Sequence, residues 1–359
     1  MNEYIHTIMN HCAELVAAHI TETENGPVAD EALENAIRGY DDPEQTDFRY
    51  DDELANAVYF LRYIYPYAFE YSVIYDILFR DYGFNSFGTV SLGCGSCVDA
   101  WSMAYARYKM DMQTNLSIPD LLHLTYLGTD RSNWSIRFTE NGRNGQTRLQ
   151  QEFSYSLDYG PYDQASFHGR YQKDIIDFIQ NDTHYPNYNA IVFPKILNEL
   201  PENTLSLLVS SIRERADLFK ADRPHYIVIS HAPKDYKNNP RMKHIASDIA
   251  NAINYDGRFR ITDNLPELWR GRAGRSLVDI SQQEDLNCYE FSRNARNYFD
   301  NVECLNPDFL TPPRVREVRS RLNIILKNNG EHRCLTSTSA SLFQIIKLEP
   351  CGNETEAAA

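Results

Sequence analysis

From residue 87 onward, apolar residues come in short unbroken runs that alternate with stretches of helical spacing. Thr89-Val90-Ser91-Leu92, Leu121 to Gly128, Asn189-Ala190-Ile191-Val192-Phe193-Pro194 and Tyr226-Ile227-Val228-Ile229-Ser230 are each nearly continuous in apolar groups. Such runs are expected of strands covered on both faces. Between them, Cys97 to Met110 can turn Ala100, Met103, Ala104, Ala106 and Tyr108 to one side, and Asn203 to Phe219 carries Leu205, Leu207, Leu208, Ile212 and Leu218. Both stretches predict helices. Alternation of strand and helix predicts an α/β fold: a mostly parallel, Rossmann-like sheet with helices on both faces. Arg241 to Ile253 predicts a further helix and Phe259 to Thr262 a short strand, while Leu322–Leu326 and Ser341–Leu348 predict a closing C-terminal antiparallel strand pair.

The residues before this alternation read differently. Ile5, Ile8, Met9, Cys12, Leu15, Val16 and Ile20 repeat near the 3.6-residue period of an amphipathic helix over residues 3 to 21. Residues 22 to 53 are strongly acidic, relieved only by Arg38 and Arg49, and are expected to be a solvated helix face or linker, or an acidic docking surface for a protein partner. Leu54 to Phe79 is apolar and rich in tyrosine, with Pro66 expected to divide it into two helices. This aromatic pair reads as packing between domains. Residues 135 to 186 carry the weakest pattern, with a third strand expected at Phe153–Asp158, a turn at Gly160–Asp163 and helical spacing from Tyr171 to Ile179. The expected division is therefore a helical extension over residues 1–86, an α/β domain over 87–350 with a basic insertion around 263–321, and a disordered tail over 351–359.

A chain of 359 residues can bury a core without disulfide staples. Its seven cysteines are scattered, and Cys94 and Cys97, the one C-x-x-C pair, read as small residues packing a tight turn, with a metal or redox role as the alternative. The start lacks a basic segment followed by an apolar core, and no apolar run reaches the roughly 18 residues of a membrane span. A soluble, cytoplasmic protein with no membrane partner is expected. The formal net charge of −15 argues against a protein that coats nucleic acid, because phosphate would be repelled at long range.

Candidate chemistry concentrates where the first strand ends. Gly93-Cys94-Gly95 lets backbone come close to a ligand, and a helix starting near Cys97 directs unpaired N–H groups toward the same gap. Ligands of parallel sheets lie beyond the carboxyl ends of the strands, where Gly93, Asp130, Phe193 and His231 fall. Val90 to Asp99, Tyr126-Leu127-Gly128-Thr129-Asp130 and Ala190 to Pro194 together resemble motifs of the class I S-adenosylmethionine-dependent methyltransferases. The resemblance implies S-adenosylmethionine as cofactor, with Gly93, Cys94 and Gly95 approaching it and Asp130 holding its ribose. It also implies that Phe193, Pro194 and the residues to Glu199 border the reacting centre. Asp99 either helps hold the cofactor's amino end or answers the helix dipole. The sequence departs from the family pattern at Ser91, where an acid is common, and at Cys97, which stands in the third glycine position.

The methyl acceptor is not legible, because neither an Asn/Asp-Pro-Pro-aromatic pattern nor a Pro-Cys follows the fourth strand. Glu199, His231 and Asp163 are candidate general bases, each with an ordinary structural role as its alternative. Arg270, Arg272, Arg275, Arg314 and Arg316 can grip a phosphate-bearing substrate or pair with neighbouring acids. Two alternatives stand beside the methyltransferase: an NAD(P)- or flavin-binding oxidoreductase on the same βαβ logic, and a catalytically inactive S-adenosylmethionine-binding module.

Overall fold

In the computed structural model the described residues are 2–39, 52–82, 86–95, 97–100, 102–103, 106–107, 123–131, 165–172, 174–181, 188–262, 277–279, 310–328, 331–332 and 341–351. They belong to two compact units, each discontinuous in sequence. One is Met1–Tyr71 with Ser132–Glu152 and Glu284–Ser339, the other Ser72–Arg131 with Phe153–Gln283 and Ala340–Ala359. By these contacts the chain divides near residue 71 and returns to its first unit late.

In the first unit, the helix Asn2–Ala18 buries Met9, Cys12 and Val16 of the predicted apolar stripe, together with Ala13 and Ala17. The acidic segment that follows is not merely linker. Ile20–Thr23 and Gly26–Ala29 form an antiparallel ribbon, and Glu31–Gly39 is a helix. Asp30 opens that helix: its Oδ1 accepts the Leu33 N–H at 2.9 Å, and its Oδ2 lies 2.6 Å from His19 Nδ1. Capping by an aspartate, with Glu31 and Glu34 near the dipole's positive end, explains why so acidic a stretch is helical.

Pro66 does not divide the aromatic segment. A single helix runs from Glu53 to Tyr82. An interior proline costs roughly 3 kcal/mol, and fully burying one large apolar side chain returns about 1.5–3 kcal/mol. In the first unit Phe60, Leu61, Ala68 and Tyr71 are all buried on either side of the proline, so packing outweighs the local preference.

Leu322–Leu326 is likewise not a strand but the last turn of the helix Pro312–Leu326. Val318, Leu322 and Ile325 are its buried positions, at helical spacings of four and three. The four residues Leu322-Asn323-Ile324-Ile325 carry no such period alone, which is why they look like a strand in isolation.

The second unit is built on an eight-stranded sheet. We label its seven principal strands β1 (Ser86–Leu92), β2 (His123–Asp130), β3 (Ala165–Gln172), β4 (Ala190–Pro194), β5 (His225–His231), β6 (Phe259–Thr262) and β7 (Leu342–Pro350). Their spatial order is β3-β2-β1-β4-β5-β7-β6. The pairs from β3 through β5 are parallel, while β7 runs antiparallel to both β5 and β6. The three-residue strand Leu277–Asp279 pairs with the start of β7. One antiparallel strand, inserted between β5 and β6, therefore replaces the expected C-terminal pair.

The predicted third strand at Phe153–Asp158 lies outside the described residues. The strand beside β2 is instead Ala165–Gln172, and the helix expected from Tyr171 begins at Ile175. The side chain of Asp174 sets that start by accepting the Ile176 N–H at 2.8 Å.

Alternate β1 residues face opposite layers. Val90 and Leu92 join Leu205, Leu208, Ile212, Ile245 and Ile249 from the helices Glu202–Glu214 and Ile245–Ile253. On the other face Phe87 meets Phe79 and Tyr82, with ring centroids 5.2 and 5.1 Å apart. Both faces of the sheet are covered, as the apolar runs predict. Among the described residues no helix is long and apolar enough to cross a membrane.

Candidate functional site

The sheet order reverses between β1 and β4, which both leave the sheet at their carboxyl ends on the same side. This is the switch point at which parallel sheets open a crevice for a ligand. Four of the residues singled out in the sequence, Gly93, Gly95, Asp130 and Phe193, fall at or beside it.

After Leu92 the chain turns sharply. Gly93 N–H donates to Thr129 carbonyl at 2.8 Å and Cys94 N–H donates to the same oxygen at 2.9 Å. The end of β1 is thereby tied to the end of β2. Gly93 (φ +76°) and Gly95 (φ +54°) both lie in the left-handed region, where an L side chain is strained. Their surroundings differ. A Cβ on Gly93 would lie 2.8 Å from Cβ of Ile196, whereas a Cβ on Gly95 would meet nothing among the described residues within 4 Å. Gly93 is thus the glycine that the β4 turn needs, and Gly95 the one that leaves open space.

The carboxylate of Asp130 joins the end of β2 to the loop after β1: its Oδ2 accepts the Gly95 N–H at 2.8 Å. Asp130 is 9% exposed, nearly buried at the end of β2.

Asp99 is placed differently. It is 1% exposed, and Tyr126 Oη donates to its Oδ1 at 2.8 Å. Burial pushes its carboxyl up from 3.8 to about 6, against the stabilising hydrogen bond from Tyr126. Ser91, where the sequence resemblance expects an acid, is fully buried in β1. The pair Asp99–Tyr126 ties the helix that starts at residue 98 to β2 from within.

This pair makes a testable contribution to pH dependence. Because the folded carboxyl has a higher affinity for protons than the unfolded one, stability falls as pH rises from about 4 to about 6 and is level above. The full difference is about 3 kcal/mol. Asp99→Asn should flatten that part of the profile, read as the difference in urea unfolding free energy between variant and wild type from pH 4 to 7. A constant difference over that range would refute the assignment.

After β4, Lys195 also adopts a left-handed conformation, with φ +59°, and its N–H donates to Phe193 carbonyl at 3.0 Å. Phe193 is fully buried in the core, and Pro194, Lys195 and Ile196 are half-buried. The three-residue helical turn Leu197–Glu199 follows, with Glu199 exposed. His231, at the end of β5, is fully buried; its Nε2 donates to Gln344 Oε1 at 2.8 Å and its ring lies 5.2 Å from that of Tyr236. Asp163 lies outside the described residues.

The predicted basic residues are distributed over different surroundings. In the first unit Arg314 donates to the Ala17 carbonyl at 3.1 Å, and Arg316 is exposed. Arg321 joins Glu34 and Glu317 at 2.6 and 2.9 Å, so that part of the basic stretch is paired with acids. Arg270, Arg272 and Arg275 lie outside the described residues. Among the described residues no group of three or more His, Cys, Asp or Glu is arranged to hold a metal ion.

The sequence places Tyr126 and Gly128 in the second motif and Ile196 in the segment after β4, but their individual contacts are not legible there. The absence of a side chain on Gly128 makes room for Cys94: a Cβ there would lie 2.9 Å from Cys94 Sγ and 3.1 Å from Tyr126 Cε1. A glycine inside a strand is the available signal, since it often marks a close approach. Nothing local marks Ile196 or Tyr126, whose roles depend on the partner strand.

No family model and no curated protein sequence matches the chain. Among solved structures, it is similar to a geranyl diphosphate methyltransferase in complex with S-adenosylmethionine, at 11% identity over 78% of this chain and 85% of that one, with a TM-score of 0.31. It is similar to a loganic acid methyltransferase with S-adenosylhomocysteine, at 8% identity over 80% and 95%, with a TM-score of 0.32. A third, an S-adenosylmethionine-dependent methyltransferase from Archaeoglobus fulgidus, is 10% identical over 78% and 94%, with a TM-score of 0.29. At such scores these likenesses add no weight to the chain's own strand order and loop geometry.

Proposed function

We propose that this chain binds S-adenosylmethionine at the β1–β4 switch point and transfers its methyl group to an acceptor. The observation that carries this reading is the bond from Gly95 N–H to the Asp130 carboxylate, beside open space above Gly95. An acid at the end of β2 suits a ribose diol, and a glycine with no contact to a built Cβ among the described residues lets a ligand approach the backbone. The fit is uneven across the predicted residues. Gly95 and Asp130 suit the cofactor, whereas Gly93 is covered by Ile196 and Asp99 is enclosed with Tyr126. In this reading Asp99 stiffens the helix start instead of touching ligand, and Cys94 supports the loop.

The cofactor supplies the electrophilic methyl group. The protein's part is to hold the ribose at Asp130, to align the acceptor and to exclude water. Pro194, Lys195 and Glu199, beyond β4, border the acceptor side. Of the candidate bases, Glu199 reaches solvent, while His231 is closed in by Gln344 and Tyr236.

The dinucleotide alternative is disfavoured by the sheet. The usual dinucleotide order is six strands, 3-2-1-4-5-6, whereas here an antiparallel strand separates β5 from β6. Calorimetry with S-adenosylmethionine, S-adenosylhomocysteine and NAD tests the choice. Binding of the first two without NAD is expected, and binding of NAD alone would overturn the proposal. Incubation with methyl-labelled cofactor and fractionated extract then separates a transferase from an inactive binding module, and the labelled fraction identifies the acceptor class.

A further inference from the structure

The loop at the switch point holds two thiols in a geometry that tight packing does not account for. Cys97 Sγ lies 3.6 Å from Cys94 Sγ, and both residues are buried. Cys97 has a φ of +58°. An L residue pays about 1–2 kcal/mol for that conformation and glycine does not, so backbone geometry alone favours glycine at this position. The sulfur of Cys94 is seated against Gly128, where any Cβ would lie only 2.9 Å from it. A strained cysteine and a glycine-made recess thus bring two sulfurs together on either side of Gly95, the residue bonded to Asp130.

We propose that Cys94 and Cys97 are a reversible redox pair, oxidised to an intramolecular disulfide by a small-molecule disulfide, and that this bond releases Gly95 from Asp130. The exchange proceeds in two displacements. Cys94 is the less buried of the two residues, at 5% against 0% exposed, and is taken as the attacking thiol. It loses its proton to solvent, and its sulfur attacks the small disulfide, forming a mixed disulfide and expelling one small thiolate. The Cys97 sulfur, deprotonated in turn, displaces the second small thiolate and closes the ring. Two protein thiols are oxidised, one small disulfide is reduced, and two small thiols leave with the two protons.

A disulfide is about 2.05 Å long, so the sulfurs must approach by about 1.5 Å. Cys94 is held by its N–H bond to Thr129 and by Gly128, and Cys97 by its N–H bond to Cys94 carbonyl at 2.8 Å. Gly95 lies between the two cysteines, with φ in the left-handed region and nothing among the described residues within 4 Å of a Cβ built on it. In the proposed closure it is the residue that shifts and gives up its bond to Asp130. Weaker ligand binding in the oxidised state rests on the proposed function; the disulfide and the loop change do not.

The test uses the full chain equilibrated in buffers of reduced and oxidised glutathione. Peptide mapping by mass spectrometry should show Cys94 joined to Cys97 with the loss of two hydrogens, while the exposed Cys351 takes a glutathione adduct. Hydrogen exchange at the Gly95 amide should accelerate at least about tenfold on oxidation, as expected for loss of a hydrogen bond to a carboxylate. Both changes should reverse with dithiothreitol and vanish in Cys97→Gly. A pair that stays as thiols in the most oxidising buffer, or a Gly95 amide equally protected in both states, would overturn the proposal. Affinity for S-adenosylhomocysteine should fall about tenfold with oxidation. Absence of binding in both states would count against the methyltransferase reading, with the peptide and exchange results still deciding the redox pair.

Discussion

Gly128→Ala is expected to destabilise the sheet-bearing unit by about 3 kcal/mol, at the upper end of overpacking costs. The added methyl would lie 2.9 Å from Cys94 Sγ, 3.1 Å from Tyr126 Cε1 and 3.3 Å from Cys94 Cβ. None of these groups can withdraw cheaply. Tyr126 is fully buried and anchored to Asp99, and Cys94 is fixed by its backbone bond to Thr129. The cost should be shared with Cys94: in a Cys94→Ala background the same glycine substitution should cost about 1–2 kcal/mol less, a coupling within the range seen for touching residues. Urea unfolding of the four proteins of the cycle measures it. Additivity within about 0.5 kcal/mol would show that the contact does not limit the strand.

Asp130→Ala is the substitution expected to affect ligand binding most. It removes the acceptor of the Gly95 N–H as well as the proposed acceptor of the ribose hydroxyls. Hydrogen bonds to charged groups contribute about 1.5–3 kcal/mol each, so affinity for S-adenosylhomocysteine should fall by about 10- to 100-fold. Asp130→Asn keeps one acceptor oxygen and should fall between wild type and the alanine variant. Calorimetry on folded variants, verified by circular dichroism, decides the matter. Undiminished affinity in Asp130→Ala would remove this residue from the site.

The parallel part of the sheet was legible because its strands are buried on both faces. Such strands are written as continuous apolar runs, and Ala190–Pro194 and His225–His231 lie within a residue of their predicted bounds. Where the pattern failed, a distant surface had overridden a local preference. Pro66 sits within a continuous helix because apolar residues on both sides of it are buried. Leu322–Leu326 is helical because its period continues that of the preceding turns. The strand Ala165–Gln172 was missed because its position follows from pairing with β2 instead of from any apolar run.

The candidate site was legible in part for the same reason. Glycines that must adopt positive φ, and an acid that ends a strand, are local features, so Gly93, Gly95 and Asp130 are visible in the chain as written. The division of labour among them is not. That Gly93 is filled by Ile196 while Gly95 stays open, and that Asp99 turns inward to Tyr126, depends on which strands become neighbours.

The sequence by itself determined the alternation of strands and helices and the place where β1 must turn, because burial period and backbone sterics act within a few residues. Only the tertiary structure decided the strand order, with β7 inserted between β5 and β6, and the meeting of loop and strand at the switch point. Cys97 shows the difference most clearly. In the sequence it stands where a third glycine is expected. In the fold its sulfur lies 3.6 Å from that of Cys94, over a recess made by Gly128 some thirty positions along the chain. Such contacts arise from pairing between strands distant in sequence, and no local pattern records them.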